Sequence, residues 1–235
     1  MSKISLFNIN NFIFDLDDTL YNYNSAHEIA LKKTIIFIKD ICNYPKKEIL
    51  KAFNSSRKKT HIDLLYTGAS HNRLLYFQKT FELLKLDSIA HSIDCYNIYW
   101  STFLENMVLF NGVKELLQVL KKQNKKICVL TDLTSHIQFR KIKALGIQKH
   151  IDFIVSSEEC GKEKPHPIMF FKALEKLNCG KEDAIMIGDN WAKDILGAEN
   201  MGIKSVWINN KKEKKQETSN IYQINEFKDL KDFLC

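Results

Sequence analysis

Residues 12–20 read Phe-Ile-Phe-Asp-Leu-Asp-Asp-Thr-Leu. A short apolar run that ends in carboxylates describes a buried strand with a polar C-terminal end. Working outward, the texture of the chain changes twice. From Ser25 to Met107 no segment reads well as a strand. Ile89, Ile93, Tyr96, Trp100, Phe103 and Met107 recur at spacings of three and four, as do Leu74, Phe77, Phe81 and Leu84. Each set makes one apolar helix face. Ser25–Asp40 and Lys46–Phe53 add two further helices, the second opened by Pro45. A bundle of helices is therefore inserted after the first strand.

From Gly112 the pattern alternates. Strands are predicted at Lys126–Thr131, Ile151–Ser156, Ala184–Gly188 and Lys204–Ile208. Helices are predicted at Gly112–Gln123, Ser135–Leu145 (closed by Gly146), Pro167–Leu177 and Trp191–Met201 (closed by Gly202). Asn209–Asn220 reads as a polar loop and Glu226–Leu234 as a terminal helix. Strands alternating with helices imply βαβ units and a parallel sheet. The fold class is α/β: a Rossmann-like parallel sheet made by 1–24 and 108–235, with a helical domain at 25–107.

Composition narrows the function classes. The chain has 235 residues, 45% hydrophobic and 27% charged, which excludes a disordered chain. No stretch approaches the roughly 18 apolar residues of a membrane span. The first twenty residues lack the features of a secretory signal, so a cytoplasmic location is expected. The net charge is +7, but only Arg57, Arg73 and Arg140 are arginines among 35 basic residues. Abundant Lys, Asn and Ile suggest A/T-rich codon usage, and no nucleic-acid partner is expected. The six cysteines form no C-x-x-C pair and the histidines no zinc-type spacing, as in a reduced intracellular protein.

In an open parallel sheet, ligands gather at the C-terminal ends of the strands. That edge collects Asp15 and Asp17, then Thr131 and Asp132, then Lys164, then Asp189 with Asp194 five residues later. Carboxylates brought together repel one another. A hard divalent cation such as Mg²⁺ removes the conflict, leaving Lys164 and Thr131 suited to phosphate. Such a set fits phosphoryl transfer, where positioning and charge neutralisation dominate.

These residues resemble the motifs of the haloacid dehalogenase superfamily of hydrolases. Asp15-Leu16-Asp17-Asp18-Thr19 resembles its D-x-D-x-T motif, and Thr131, at the end of a strand, its second. Lys164 in KPHPIMF resembles its third motif, and Gly188-Asp189 through Asp194-Ile195-Leu196-Gly197-Ala198 its fourth. The resemblance implies Asp15 as nucleophile and Asp17 as general acid and base. It implies metal binding by Asp15, Asp189 and the Asp17 carbonyl, phosphate contacts from Thr131 and Lys164, and support from Asp194 and Thr19. Phosphatases of the superfamily keep the second Asp, so Asp17 implies phosphomonoester substrates.

The helical insert resembles the superfamily's C1 cap, which selects substrate. The pattern looks most similar to the acylneuraminate-9-phosphatase-like and pyrimidine 5′-nucleotidase-like branches. The partner implied is a small phosphorylated metabolite, a sugar phosphate or a nucleoside monophosphate, with the protein a monomer or weak dimer. A phosphosugar mutase and a non-enzymatic phosphate-binding protein remain alternatives. Candidate substrate contacts are Tyr21, Asp132 and Arg73. Arg73 suits a carboxylate or second phosphate, or is a surface residue at a helix start. Asp132 stands where Asn or Gly is frequent, so its side chain should point away from phosphate.

Overall fold

The computed structural model of the protein describes residues 8–210 and 220–233. Most of the polar loop read at Asn209–Asn220, and Leu234 of the terminal helix, lie outside them, as do the first seven residues of the N-terminal stretch. The chain forms two compact units, residues 23–107 and residues 1–22 with 108–235.

The first strand, β1 (Asn11–Phe14), is followed by four helices of the smaller unit: α1 (Tyr23–Asp40), α2 (Lys46–Asp63), α3 (Arg73–Leu83) and α4 (Ser88–Glu105). Local chemistry sets their starts. The side chain of Asn72 accepts from the Leu74 amide and that of Asp87 from the Ala90 amide, satisfying backbone donors that a helix N-terminus leaves orphaned. Pro45 precedes α2. That helix runs ten residues beyond the predicted Phe53, because Ser56 and Thr60 continue its buried stripe and their polarity hides it from a count of apolar residues. The interior is aromatic, with Phe53, Tyr76, Phe77, Phe81, Tyr99, Trp100 and Phe103 all buried.

In the larger unit come α5 (Val113–Lys122), β2 (Lys126–Thr131), α6 (Ser135–Ala144), β3 (Phe153–Ser156), the single turn α7 (Ser157–Cys160) and α8 (Pro167–Leu177). They are followed by β4 (Ala184–Gly188), a π-helical turn Trp191–Ile195, α9 (Leu196–Asn200), β5 (Lys204–Ile208) and β6 (Ile221–Ile224). Among the described residues six strands, all parallel, form one sheet in the order β3-β2-β1-β4-β5-β6. β1 is central, with Phe14 opposite both Val129 and Ile187. Every residue of β1 and β4 is buried, which accounts for their uninterrupted apolar sequence. The strand order reverses across β1 and β4, which is where an open α/β sheet places its ligand crevice.

Three further elements differ from the sequence reading. β6 has no counterpart in the sequence pattern, since four residues with only Ile221 and Ile224 turned inward give a weak signal. The helix predicted over Trp191–Met201 begins as a wider turn, in which Asp194 and Ile195 both donate their amides to the Asn190 carbonyl. The terminal helix is 3₁₀, Phe227–Phe233.

Close packing fixes Gly197. A Cβ there would lie 2.5 Å from Phe170 Cζ and 3.1 Å from Pro165 Cβ. Phe170 belongs to the buried core between the sheet and α8 and cannot move freely. Gly197→Ala should therefore lower stability by about 1–3 kcal/mol, read as a shifted urea midpoint with an unchanged m-value.

Candidate active site

Because all strands run the same way, their C-terminal ends share one edge, and the predicted residues converge there. Asp15, Asp17, Thr131, Asp132, Lys164, Asp189 and Asp194 line a cleft of about 180 Å³, together with Asp18, Asn190 and Lys193. Asp15 directly follows β1 and its amide donates to Ile187 O of β4 at 2.9 Å. The backbone then turns through a left-handed residue, Asp18 at φ 62°, a conformation Asp tolerates. That turn brings Thr19 back under Asp15. The Thr19 hydroxyl lies 3.0 Å from Asp15 Oδ2 and 3.2 Å from Asp189 Oδ1, and accepts the Asp189 amide at 3.1 Å. Thr19 thus ties the ends of β1 and β4 together.

Lys164 occupies the centre, 3% exposed. Its ammonium donates to Asp15 Oδ1 at 2.5 Å, Asp194 Oδ1 at 2.7 Å and Leu130 O at 3.0 Å, so its three protons are all engaged. Burial opposes that charge, but Asp15, Asp194 and Asp132 outweigh it and hold the lysine well above its usual pKa. Lys164 accordingly acts on this edge as a fixed positive charge. Asp194 Oδ2 accepts from the Asn190 amide at 3.0 Å. A Cβ on Gly188 would meet that same oxygen at 2.5 Å, so the Gly-Asp pair of the fourth motif is a requirement of close approach.

Three carboxylates, Asp15, Asp189 and Asp194, bring ligand atoms within 4.8 Å of one another. An all-oxygen set fits a hard divalent cation. The electrostatics point the same way. Burial, with repulsion from Asp194 and Asp18, pushes Asp189 up to about 7. Burial likewise holds Asp15 well above the carboxylate range, against the pull of Lys164 and with Asp194 and Asp189 adding repulsion. The excess negative charge is what a cation would relieve. The Asp17 side chain stands apart from this cluster and turns to Lys141.

The remaining candidates separate. Thr131 ends β2 and its hydroxyl accepts from Gln138 Nε2 at 2.8 Å. Asp132 accepts the Lys164 amide at 3.0 Å on Oδ1 and pairs with Lys193 at 2.7 Å on Oδ2, so its charge is neutralised where the sequence suggested a clash with phosphate. Tyr21 is fully buried and donates to Asp17 Oδ1 at 2.6 Å. Arg73, in the first turn of α3, is 6% exposed, which overturns its reading as a surface residue. Its guanidinium faces the rings of Tyr23, Tyr76, Tyr99 and Trp100 at 5.2–5.8 Å and donates to His71 O and Tyr23 Oη.

A family model described as haloacid dehalogenase-like hydrolase matches residues 12–208. The chain belongs to this family. Ribulose-1,5-bisphosphate 5-phosphatase of Halopiger xanaduensis is 32% identical over 196 residues, 83% of this chain and 82% of that protein. Glyceraldehyde 3-phosphate phosphatase of Pyrococcus furiosus is 30% identical, over 83% of this chain and 78% of that one. Mouse N-acylneuraminate-9-phosphatase is 28% identical, over 84% and 73%. A crystal structure of a HAD phosphatase from Thermococcus onnurineus shares the fold, with a TM-score of 0.75 and 20% identity, over 96% of this chain and 98% of that one. The chain is thus a hydrolase of this family, and these relatives are named as phosphatases of small phosphorylated metabolites. Among the described residues, no helix is long and apolar enough to cross a membrane.

Three residues that hold the candidate site stand outside the sequence motifs. Lys193 neutralises Asp132, and Gln138 and Lys141 of α6 hold Thr131 and Asp17. A signal was present in α6, where Gln138 and Lys141 share the buried stripe with Ile137 and Ile142 while Phe139 is 60% exposed. A helix that turns polar residues inward and a phenylalanine outward departs from ordinary amphipathicity.

The raised carboxylates set a stability profile. Between the ordinary value of 3.8 and about 7, the folded protein retains protons that the unfolded chain has released. Stability of the metal-free protein therefore falls as pH rises through that window. Thermal melts in chelator should show Tm falling from pH 5 to pH 7.5, and saturating Mg²⁺ should flatten the slope. Asp189→Asn should flatten it without metal; an unchanged slope in that variant would disprove the assignment.

Proposed function

We propose that this hydrolase is a Mg²⁺-dependent phosphatase that cleaves a small phosphomonoester through an aspartyl-phosphate. The observation that carries the reading is the division of labour between the two carboxylates that follow β1. Asp15 sits among Lys164, Thr19 and the acidic cluster, whereas Asp17 stands apart from the cluster on the same cleft. One is placed to meet phosphorus and the other to exchange a proton.

In the first step an oxygen of Asp15 forms a bond to phosphorus, the bond to the ester oxygen breaks, and Asp17 gives that oxygen its proton. In the second, Asp17 takes a proton from water, the water oxygen bonds to phosphorus, and the bond to Asp15 breaks, releasing inorganic phosphate. Lys164 neutralises Asp15 and presents positive charge to the phosphoryl oxygens, and the Thr131 hydroxyl donates to one of them. Asp15, Asp189 and the Asp17 carbonyl would hold Mg²⁺, which supplies charge neutralisation at the phosphoryl group. Asp194, with one oxygen on Lys164 and the other on the Asn190 amide, orients this shell.

The helical unit serves as the substrate-selecting cap. Phosphorylated sugars in the names of the relatives favour a sugar phosphate over a nucleoside monophosphate. Arg73 suits a second anionic group on such a substrate, since it makes no salt bridge to a carboxylate among the described residues.

Asp15→Asn should abolish phosphate release, and chelation should do the same reversibly; full activity in either case would refute the mechanism. A phosphate-release screen over sugar phosphates, nucleotides and sialic-acid-type phosphates identifies the substrate, and a sugar bisphosphate product would reveal a mutase. Arg73→Gln should raise KM by about tenfold for a substrate with a second anionic group. It should leave KM for p-nitrophenyl phosphate within about twofold.

A further inference from the structure

Lys141 is fully buried, on the inner face of α6. An ammonium in that position is costly to bury unless a partner compensates it, and an apolar side chain of similar length would fit the slot without that cost. The geometry shows where its charge is directed. Nζ lies 2.7 Å from Asp17 Oδ1 and 2.8 Å from Asp17 Oδ2, a two-point contact with one carboxylate. The same nitrogen stands 5.8 Å from the centre of the Tyr21 ring, and the Tyr21 hydroxyl donates to Asp17 Oδ1 at 2.6 Å. The site thus carries two buried lysines with separate assignments, Lys164 on Asp15 and Lys141 on Asp17.

Asp17 needs such a hold. It lies in the turn beyond the end of β1, its side chain is 32% exposed, and it takes no part in the acidic cluster. α6 supplies a rigid base for it. One turn earlier on the same helix, Gln138 donates to the Thr131 hydroxyl, so one helical face references both Thr131 and Asp17 to each other.

We propose that Lys141 is a positioning residue that fixes the Asp17 carboxylate for proton transfer to the leaving group: the pair holds Asp17 ionised in the free site, and the proton it passes to the departing oxygen is taken from the monoanion of the bound phosphomonoester. The proposal rests on the reading of Asp17 as the general acid. A positioned acid contributes most where the leaving group is a poor one, because an alkoxide must be protonated as it departs whereas p-nitrophenolate need not be. The quantity to measure is kcat/KM, which reports formation of the aspartyl-phosphate and is independent of its hydrolysis.

The test compares Lys141→Met in the full chain on an alkyl phosphate (the best sugar phosphate from the screen) and on p-nitrophenyl phosphate. kcat/KM should fall about 10- to 100-fold for the alkyl ester and less than about threefold for the aryl ester. Lys141→Arg should recover most of the alkyl activity. Lys141→Gln, neutral and polar, is read in the same way where the Met variant does not fold. Equal losses on both esters, or no loss on either, would overturn the proposal. Asp17→Asn is the control for the underlying reading: it must show the same selective loss on the alkyl ester. If it does not, the general-acid assignment itself fails. If it does while the Lys141 variants stay unselective, only the positioning role fails.

Discussion

The ammonium of Lys164 is the constraint around which the acidic edge of the sheet is organised. It is buried, engages Asp15, Asp194 and the Leu130 carbonyl, and joins the loop after β3 to the ends of β1, β2 and the turn after β4. Burying a charge is tolerable only when all its donors are satisfied. Each partner is in turn held: Asp15 by Thr19, Asp194 by the Asn190 amide, and the Lys164 amide itself by Asp132. The small residues follow from this. Gly188 has no Cβ because Asp194 must approach it, and Gly197 has none because Phe170 fills that space.

The arrangement also explains how several acids coexist in one cleft. Two lysines divide them, Lys164 facing Asp15 and Asp194 while Lys141 faces Asp17. Lys193 neutralises Asp132, a residue that would otherwise add a bare negative charge to the cleft. Asp189 is left with Thr19 and a high proton affinity, the position where a cation has most to contribute. Asp132 therefore serves the loop's geometry, and the cost of an acid there is offset by a lysine 61 residues away in sequence.

Much of this was legible before the structure. Strands buried on both faces have continuous apolar sequence, so β1, β2, β4 and β5 stand out from the chain. The strand-end rule then places Asp15, Thr131, Lys164 and Asp189 on one edge from the sequence alone. Features that depend on weak or inverted local patterns were less visible. β6 has only two inward residues, and α2 continues through Ser56 and Thr60, which are buried yet polar. The wide turn at Trp191–Ile195 arises from two amides sharing the Asn190 carbonyl, which residue spacing does not announce.

By itself the sequence determined the alternation of strands and helices, the helical insert, and the types of residue delivered to the C-terminal edge of the sheet. Periodicity and strand direction are local properties, and they carry that much. Only the tertiary structure decided which charge meets which. Lys141 and Asp17 are 124 residues apart, and Arg73 and Tyr23 fifty. A charged group's partner at that separation leaves no local pattern, because the cost of burying the charge and its compensation appear only when the chain has folded and water has been removed from both partners.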